Sequence, residues 1–356
     1  MYSERTLPDR LLYADVIRAY AIVLVVLLHA SAPIFKLYSK IDFSAWWIGN
    51  LFNSLSMCAV PLFVMLSGML LLDSKKQESV GVFFSRRFNR VVVPLIIWEV
   101  IYVLLRYIDD SSITPGRALR MILNCNAYYH LWFIKVILGL YLATPILRVY
   151  VKNSRDTDLL YFLSLWCIAV SVLPFLANFL KIQVGIEIVV TTHFTGYFIA
   201  GYFFCKERIA RGLSKAVAIA IIIGAILLTA VLTAWLTVTE GAPNNYFYQY
   251  LKSPTVIIMT ITTFLLLQSL PYEKLFARSH FFYNIVQTLS AASLSIYFIH
   301  VLILEVLKRG ILGFTLSGMT YSPIIGIPAT ALLTCTASLV IVTASRKIPY
   351  FKNLFP

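Results

Sequence analysis

The sequence predicts an all-α integral membrane protein, a bundle of about ten transmembrane helices formed by one domain over residues 1–356. Three observations predict this fold class. Hydrophobic residues make up 60% of the chain and charged residues only 13%, whereas a soluble domain carries about a quarter of charged residues. The mean hydropathy is +0.81. Apolar runs longer than the ~18 residues needed to cross a bilayer recur along the chain, without a long polar block between them.

The predicted spans follow one another with short polar loops between them. They comprise residues 17–35, 46–72, 91–108, 129–147, 159–180, 186–205, 216–238, 255–270, 285–307 and 323–344. Lys and Arg collect in the cytoplasmic loops of membrane proteins, so their distribution predicts the orientation. With the N-terminus inside, 20 basic residues face the cytoplasm and 9 face outward. We therefore predict that both termini are cytoplasmic.

The start of the first span imitates a cleavable signal peptide, because a basic leader and an apolar stretch precede Ala30-Ser31-Ala32. His29 directly precedes this triplet, however, and Pro33 directly follows it. Cleavage would leave nine of the predicted spans and place the two termini on opposite sides of the membrane. We therefore expect the segment to be retained as the first transmembrane helix.

The composition also bears on partners and metals. The net charge of +14 is scattered through short loops, which favours contact with anionic membrane lipids over nucleic-acid binding. The five cysteines are isolated and lack metal-ligand spacing, so we interpret them as packing residues. We expect neither a metal nor a nucleic acid; the sequence does not predict the oligomeric state.

Ionisable residues within the predicted spans are the first candidates for a functional site, because each costs several kcal/mol unless it faces a polar interior. The predicted depths place four of them around one outward-facing cavity. An equally simple interpretation is that they make hydrogen bonds between helices. The ionisable residues of the spans are Arg18, His29, Glu99, Lys135, His193, His300 and Glu305, and those expected around the cavity are His29, Lys135, His193 and His300.

Two pairs of residues indicate a path through the bundle. Arg18 and His29 are eleven positions apart, about 16 Å or three turns of an α-helix, so they share one face. Asp15 can pair with Arg18 at i,i+3. Arg87 and Arg90 end a predicted inner loop and can present two guanidinium groups to one polyphosphate. The alternative is that these arginines only anchor the helices at the membrane surface.

Five segments resemble, in order, the signature segments of membrane-bound acyltransferase family 3, the O-acetyltransferases of bacterial surface glycans. The single-domain members related to the enterobacterial common antigen O-acetyltransferase are the most similar in organisation. The segments are Arg18 with His29 after ten residues, residues 61–68 (PLFVMLSG), residues 87–90 (RFNR), residues 129–133 (YHLWF) with 141–145 (YLATP), and residues 295–300 (SIYFIH).

The resemblance implies an O-acyltransferase of the bacterial inner membrane that uses acetyl-CoA. CoA is expected to bind from the cytoplasm through Arg87, Arg90 and Arg18, and the acyl group to lie near His29. The His29 imidazole would act as a general base on an acceptor hydroxyl, or would accept the acyl group and pass it on. Arg18 is thus expected both to bind the donor and to take part in catalysis.

The acceptor is expected to be a glycan or a lipid-linked oligosaccharide at the outer face. Six residues are expected to bind it, of which Tyr297 or Lys135 also could stabilise a developing oxyanion. A different class of function, a secondary transporter or flippase for an anionic or lipid-linked substrate, would also suit charged residues near the midplane. The six acceptor-binding candidates are His130, Trp132, Lys135, His193, Tyr297 and His300.

Overall fold

The protein is an all-α membrane protein. The computed structural model describes residues 12–72, 79–186, 188, 194–206, 212–277, 279–349 and 354–356, and regular structure in them is helical throughout. Eight helical segments of these residues are long and apolar enough to cross a membrane: Leu12–Phe35, Phe43–Leu72, Val80–Asp109, Trp132–Asn153, Asp156–Leu180, Lys215–Glu240, His280–Arg309 and Pro323–Ser345. The predicted fold class is confirmed.

Two of the ten predicted spans form shorter helices. The segment 186–205 gives the helix Thr195–Phe204, and 255–270 gives the 15-residue helix Pro254–Gln268. At 1.5 Å per residue, 15 residues span only about 22 Å, less than the hydrocarbon thickness of a bilayer. The count of ten spans and the orientation of the bundle therefore stay predictions.

Helices are labelled in chain order. The first eight are α1 Leu12–Phe35, α2 Phe43–Ser56, α3 Ala59–Leu72, α4 Val80–Arg87, α5 Val93–Asp109, α6 Pro115–Leu123, α7 Trp132–Asn153 and α8 Asp156–Cys167. They are followed by α9 Leu173–Phe175, α10 Thr195–Phe204, α11 Lys215–Glu240, α12 Pro254–Gln268, α13 Tyr272–Ala277, α14 His280–Arg309 and α15 Pro323–Ser345.

Helix α1 lies inside the bundle, in contact with α2, α3, α14 and α15. Its Ile17, Ala21 and Ile22 side chains are fully buried. Lipid tails are as apolar as these side chains, so close packing rather than the hydrophobic effect favours this arrangement. As a result, the two polar residues that the sequence singles out on α1, Arg18 and His29, lie among other helices.

Helices α3 and α10 pack with their backbones in direct contact because glycine occupies the crossing on both sides. A Cβ atom on Gly68 would lie 1.7 Å from the carbonyl oxygen of Phe198, and one on Gly201 would lie 1.8 Å from that of Met65. No other residue fits at either position without moving a helix. This is the small-residue packing typical of membrane helices, and it holds α3 directly against α10.

The start of α5 is shaped by proline. Pro94 has no N–H group and cannot bond to the carbonyl of Arg90, as residue i normally does to i−4. A π-helical turn, Phe88–Val92, precedes it, and the Val93 N–H bonds to the carbonyl of Phe88 instead. Helix α4 thus continues into α5 through a widened turn that carries Arg90.

Tyr102 of α5 connects this helix to α14. Its hydroxyl donates to the carbonyl of Phe298 at 2.7 Å and accepts from the N–H of Leu302 at 3.2 Å. In an uninterrupted α-helix, the Leu302 N–H bonds directly to the Phe298 carbonyl. The Tyr102 hydroxyl bridges these two groups, which lie on either side of His300 along α14.

Candidate active site

Three histidines from separate elements lie together: His29 of α1, His130 of the segment before α7, and His300 of α14. The centroid of the His29 ring is 5.2 Å from that of His300 and 6.4 Å from that of His130, and the His130 and His300 centroids are 5.3 Å apart. His130 and His300 are buried, whereas His29 is partly exposed. The structure therefore brings together two of the predicted cavity residues, His29 and His300, with His130 as their third neighbour.

The His300 ring has a defined hydrogen-bonding arrangement. Its Nδ1 atom lies 2.7 Å from the carbonyl oxygen of Tyr297 and 3.1 Å from that of Ile296. A carbonyl oxygen only accepts hydrogen bonds, so Nδ1 must carry a proton and donate. In the neutral ring, Nε2 then holds a lone pair. This buried atom has no hydrogen-bond partner among the residues that the structure describes.

His130 is held in place through its backbone. The Tyr297 hydroxyl donates to the His130 carbonyl oxygen, so its one proton is not available to an oxyanion in this conformation. Upstream, the Ala127 N–H donates to Glu99 Oε2 at 2.8 Å, and Glu99 is itself fully buried in α5. These two bonds, from α14 and α5, fix the segment that carries His130.

A pair of tyrosines lines the approach to His29. The Tyr129 side chain is exposed, yet its ring centroid is only 5.3 Å from that of His29, and the Tyr128 ring is 5.0 Å from Tyr129. The Tyr128 hydroxyl donates to Glu305 Oε1 at 3.0 Å, and Glu305 pairs with Arg309 at 3.4 Å. His29 is thus bordered by an accessible aromatic surface next to a carboxylate.

On the other side of Tyr297 lies a cavity of about 390 Å³ whose wall includes four arginines, Arg18, Arg86, Arg87 and Arg90. Ser290 and Tyr297 of α14 both line it, and seven helical residues correspond to about 10 Å. The cavity thus runs along α14 from the arginines to Tyr297.

Tyr297 connects this cavity to the histidines. The centroid of its ring lies 5.6 Å from that of His130 and 5.8 Å from that of His300.

Arg18 is anchored by a small polar network. Its Nη1 atom donates to the Ser290 hydroxyl at 3.0 Å and lies 3.6 Å from Asp15 Oδ1. The Ser290 hydroxyl donates to Asp15 Oδ1 at 2.6 Å, and Gln287 donates to Oδ2 at 3.0 Å. The predicted pair of Asp15 and Arg18 is confirmed. Because Asp15 is buried, these contacts hold the guanidinium at the cavity wall.

Arg87 is also oriented by the protein. It donates to the carbonyl oxygen of Phe83 at 3.0 Å, and its guanidinium carbon lies 3.8 Å from the centre of the Phe83 ring. Stacking on an aromatic face fixes the plane of the guanidinium group, here at the wall of the cavity. Arg86 and Arg90 are exposed at the same cavity.

A fifth arginine joins this group, although no motif in the sequence singled it out. Arg346 lines an adjoining cavity of about 570 Å³ together with Arg18, Arg86 and Arg90. It donates to Ser295 Oγ at 3.3 Å. Burial and the nearby Arg90 charge lower the pKa of Arg346, which reflects the concentration of positive charge here. Its position directly after the last span was the only signal available.

The other predicted site residues lie elsewhere or outside the described residues. Lys135 is exposed and donates to the carbonyl of Asn124 at 3.4 Å, and no described contact joins it to a histidine. Trp132 stacks on Tyr250, with ring centroids 5.8 Å apart, and is not itself among the residues that line the arginine cavity. His193 lies outside the described residues. In the described part of the chain, no group of three His, Cys, Asp or Glu side chains is arranged to hold a metal ion.

A comparison with known families decides the class of protein. The model of the acyltransferase domain of acyltransferase family 3 matches residues 11–343, nearly the whole chain. The chain belongs to this family. No curated protein and no solved structure matched it. The matched region of this acyltransferase contains the three histidines and Arg18, Arg86, Arg87 and Arg90, while Arg346 lies just beyond it.

Proposed function

We propose that this membrane acyltransferase transfers an acetyl group from cytoplasmic acetyl-CoA to a hydroxyl group of a surface or lipid-linked glycan at the outer face of a bacterial inner membrane. One observation carries the proposal: a single cavity has four arginines in its wall and ends at Tyr297, which contacts the histidine cluster. Such a cavity would hold the anionic donor at its arginine end and direct the acyl group toward the histidines at its other end.

The arginine end suits the phosphates of CoA. Guanidinium groups form paired hydrogen bonds with phosphate oxygens, and Arg18 and Arg87 are already oriented by protein contacts. The remaining wall is largely apolar, with Phe63, Leu70 and Ile137 among its side chains. Such a wall suits the uncharged pantetheine arm, which must extend from the arginines toward Tyr297.

His29 is the residue to which we assign the chemistry. In direct transfer, a ring nitrogen takes the proton of the acceptor hydroxyl while the hydroxyl oxygen attacks the thioester carbonyl. The C–S bond then breaks, and the CoA thiolate takes the proton from the imidazolium. In the alternative, His29 attacks first, forms an acyl-imidazole and releases CoA, and the hydroxyl then takes the acyl group. Both routes leave the histidine unchanged.

The acceptor would approach His29 along Tyr129. Exposed aromatic rings bind the apolar faces of sugar rings, and a carboxylate such as Glu305 accepts hydrogen bonds from hydroxyl groups. His130, Tyr297 and His300 border the same place, and of these we retain His130 and Tyr297 as candidate acceptor-binding residues. We do not extend this role to Lys135 or Trp132, because their described contacts lie away from the histidines.

Family membership favours an enzyme over a transporter or flippase. The test compares the surface glycan of a deletion strain, analysed by NMR, with that of the same strain carrying the wild-type gene or the His29→Ala variant. We expect the deletion to remove an O-acetyl resonance that only the wild-type gene restores. Purified protein should also bind acetyl-CoA. An unchanged glycan, together with no binding of acetyl-CoA, would contradict the proposal.

A further inference from the structure

We infer that His300 is a positioning residue whose Nε2 atom accepts a hydrogen bond from a ring N–H of His29. This bond would direct the other nitrogen of His29 toward the acceptor hydroxyl. The inference rests on the proposed function, because it requires His29 to act on a substrate. It concerns the state of the His29 ring and assigns no direct contact with substrate to His300.

The first support is the fixed tautomer of His300. Two backbone carbonyls, of Tyr297 and Ile296, hold the proton on Nδ1, so Nε2 can only accept hydrogen bonds. A buried acceptor without a partner is destabilising, because it has lost its hydrogen bond to water and gained none in return. His300 is fully buried, and its Nε2 has no partner among the described residues. A donor that reaches this atom therefore stabilises the site.

The second support is distance. A ring nitrogen lies about 1.1 Å from the centre of an imidazole, and a hydrogen bond between two nitrogens spans up to about 3.2 Å, so two hydrogen-bonded imidazoles have centroids at most about 5.4 Å apart. The His29 and His300 centroids are separated by 5.2 Å. The two rings are thus close enough for the bond when the His29 ring turns an N–H toward His300 Nε2. The 6.4 Å between His29 and His130 exceeds this limit.

His130 is the competing partner for His300, since their centroids are 5.3 Å apart. The backbone carbonyl of Phe298, however, lies near the His130 ring, although no regular hydrogen bond joins them. A carbonyl in this position attracts the proton of His130. The lone pair of His300 is then left for His29, and His130 contributes packing to both rings.

The chemical consequence resembles that of the orienting residue in hydrolase triads. A neutral imidazole has one N–H and one lone pair, and only the lone pair can remove a proton. When His300 accepts the N–H of His29, the lone pair of His29 lies on the opposite side of the ring. The same hydrogen bond strengthens when His29 gains a proton during transfer, because a charged donor binds an acceptor more tightly.

Substitutions with amides distinguish the two nitrogens of His300. Asn places its amide near the position of Nδ1 and can keep the bond to the Tyr297 carbonyl, whereas Gln places an amide oxygen near the position of Nε2. The assay measures how much radiolabelled acetyl group passes from acetyl-CoA into membranes of the deletion strain. Each membrane preparation carries the full-length protein or one of its variants. We expect His300→Asn to lower kcat at least about tenfold with little change in KM for acetyl-CoA, and His300→Gln to retain most of the rate.

His300→Asn activity equal to or above that of His300→Gln overturns the inference, because the important atom would then be Nδ1.

If His300→Gln fails to fold, a double variant tests whether His300 acts through His29. His29→Ala with His300→Ala should have the residual rate of His29→Ala alone, since His300 acts only through His29. A further loss in the double variant means an independent role. A wild-type rate in His29→Ala would instead contradict the proposed catalytic function, whatever His300 does.

Discussion

Arg18 donates a hydrogen bond to the Ser290 hydroxyl at 3.0 Å, which joins α1 to α14 beside the arginine cavity. The same hydroxyl donates to Asp15 at 2.6 Å. The guanidinium, the hydroxyl and the carboxylate thus form one partly buried unit between the helices that carry His29 and His300. The position of Arg18 depends on a carboxylate that does not itself line the cavity.

Replacement of Asp15 by Asn tests this dependence. The amide keeps the shape of the side chain but turns one acceptor into a donor and leaves Arg18 without its carboxylate. We expect a loss of about 1–3 kcal/mol of stability and at least a tenfold loss of turnover, roughly the effect of misplacing one charged contact. Thermal unfolding in detergent and acetyl transfer measure the two effects.

Asp158→Asn is the matched control. Asp158 is a partly exposed residue of the first turn of α8 that pairs with Arg155 at 3.2 Å. Neither residue of this pair lines the arginine cavity, so the loss of the Asp158 carboxylate should leave transfer unchanged. If Asp15→Asn behaves like Asp158→Asn in both measurements, Arg18 does not need the network.

Reporter fusions test the orientation predicted from the basic residues. A reporter that is active only outside the cytoplasm should be inactive when fused at Lys76 or at Asn153, and active when fused at Gly313, between α14 and α15. Lys76 lies outside the described residues, and Asn153 ends α7. Activity at Lys76 or Asn153 would put the arginine cavity on the outer face and contradict entry of CoA from the cytoplasm.

The sequence was sufficient for the fold class because every membrane-length apolar run must form a helix in lipid. It was less informative about helix ends. Pro254–Gln268 is bounded by proline and by polar residues and reaches only 15 residues, where a span of 255–270 was predicted. Length alone does not distinguish a helix that crosses the bilayer from one that is covered by its neighbours.

The site was predictable where the spacing along one helix decides it. Arg18 and His29 share α1, and Asp15 is within reach of Arg18 at i,i+3, as the helical repeat requires. The placement of Lys135 among the histidines was not confirmed by any described contact. Its depth in α7 follows from the sequence, but the direction of its side chain depends on how α7 is rotated against the other helices.

Contacts between distant segments could not be predicted. His130 reaches His29 because Glu99 holds the Ala127 amide in the preceding turn, 28 positions away in sequence. Arg346 joins the arginine group because α15 packs against α14 near Ser295. Neither the Glu99 bond nor this helix packing leaves a periodic pattern in the sequence.

His29→Ala tests the residue to which the chemistry is assigned. Loss of a general base or an acyl acceptor should lower kcat at least ~100-fold, with acetyl-CoA binding close to that of the wild type. His280→Ala is the control, because His280 is an exposed histidine at the start of α14, and we expect it to keep wild-type turnover. His29→Ala that retains more than about a tenth of the wild-type kcat would exclude His29 from the chemical step.

Arg87 and Arg90 should affect donor binding more than the chemical step. Both line the cavity at the end away from the histidines, so they contact donor phosphates in the ground state and the transition state alike. We expect Arg87→Ala and Arg90→Ala to raise KM for acetyl-CoA more than they lower kcat. Lys at either position should restore only part of the affinity, because an ammonium group lacks the two-pronged contact of a guanidinium.

The salt dependence of binding separates this role from simple anchoring at the membrane surface. Affinity of the wild-type protein for acetyl-CoA should fall as salt is added, because charge-assisted contacts at an open cavity are screened. Arg87→Ala and Arg90→Ala should flatten that dependence, whereas Arg155→Ala, an exposed residue before α8, should leave it unchanged. If all three variants keep the wild-type KM and salt dependence while they remain folded, Arg87 and Arg90 are membrane anchors and the donor enters by another route.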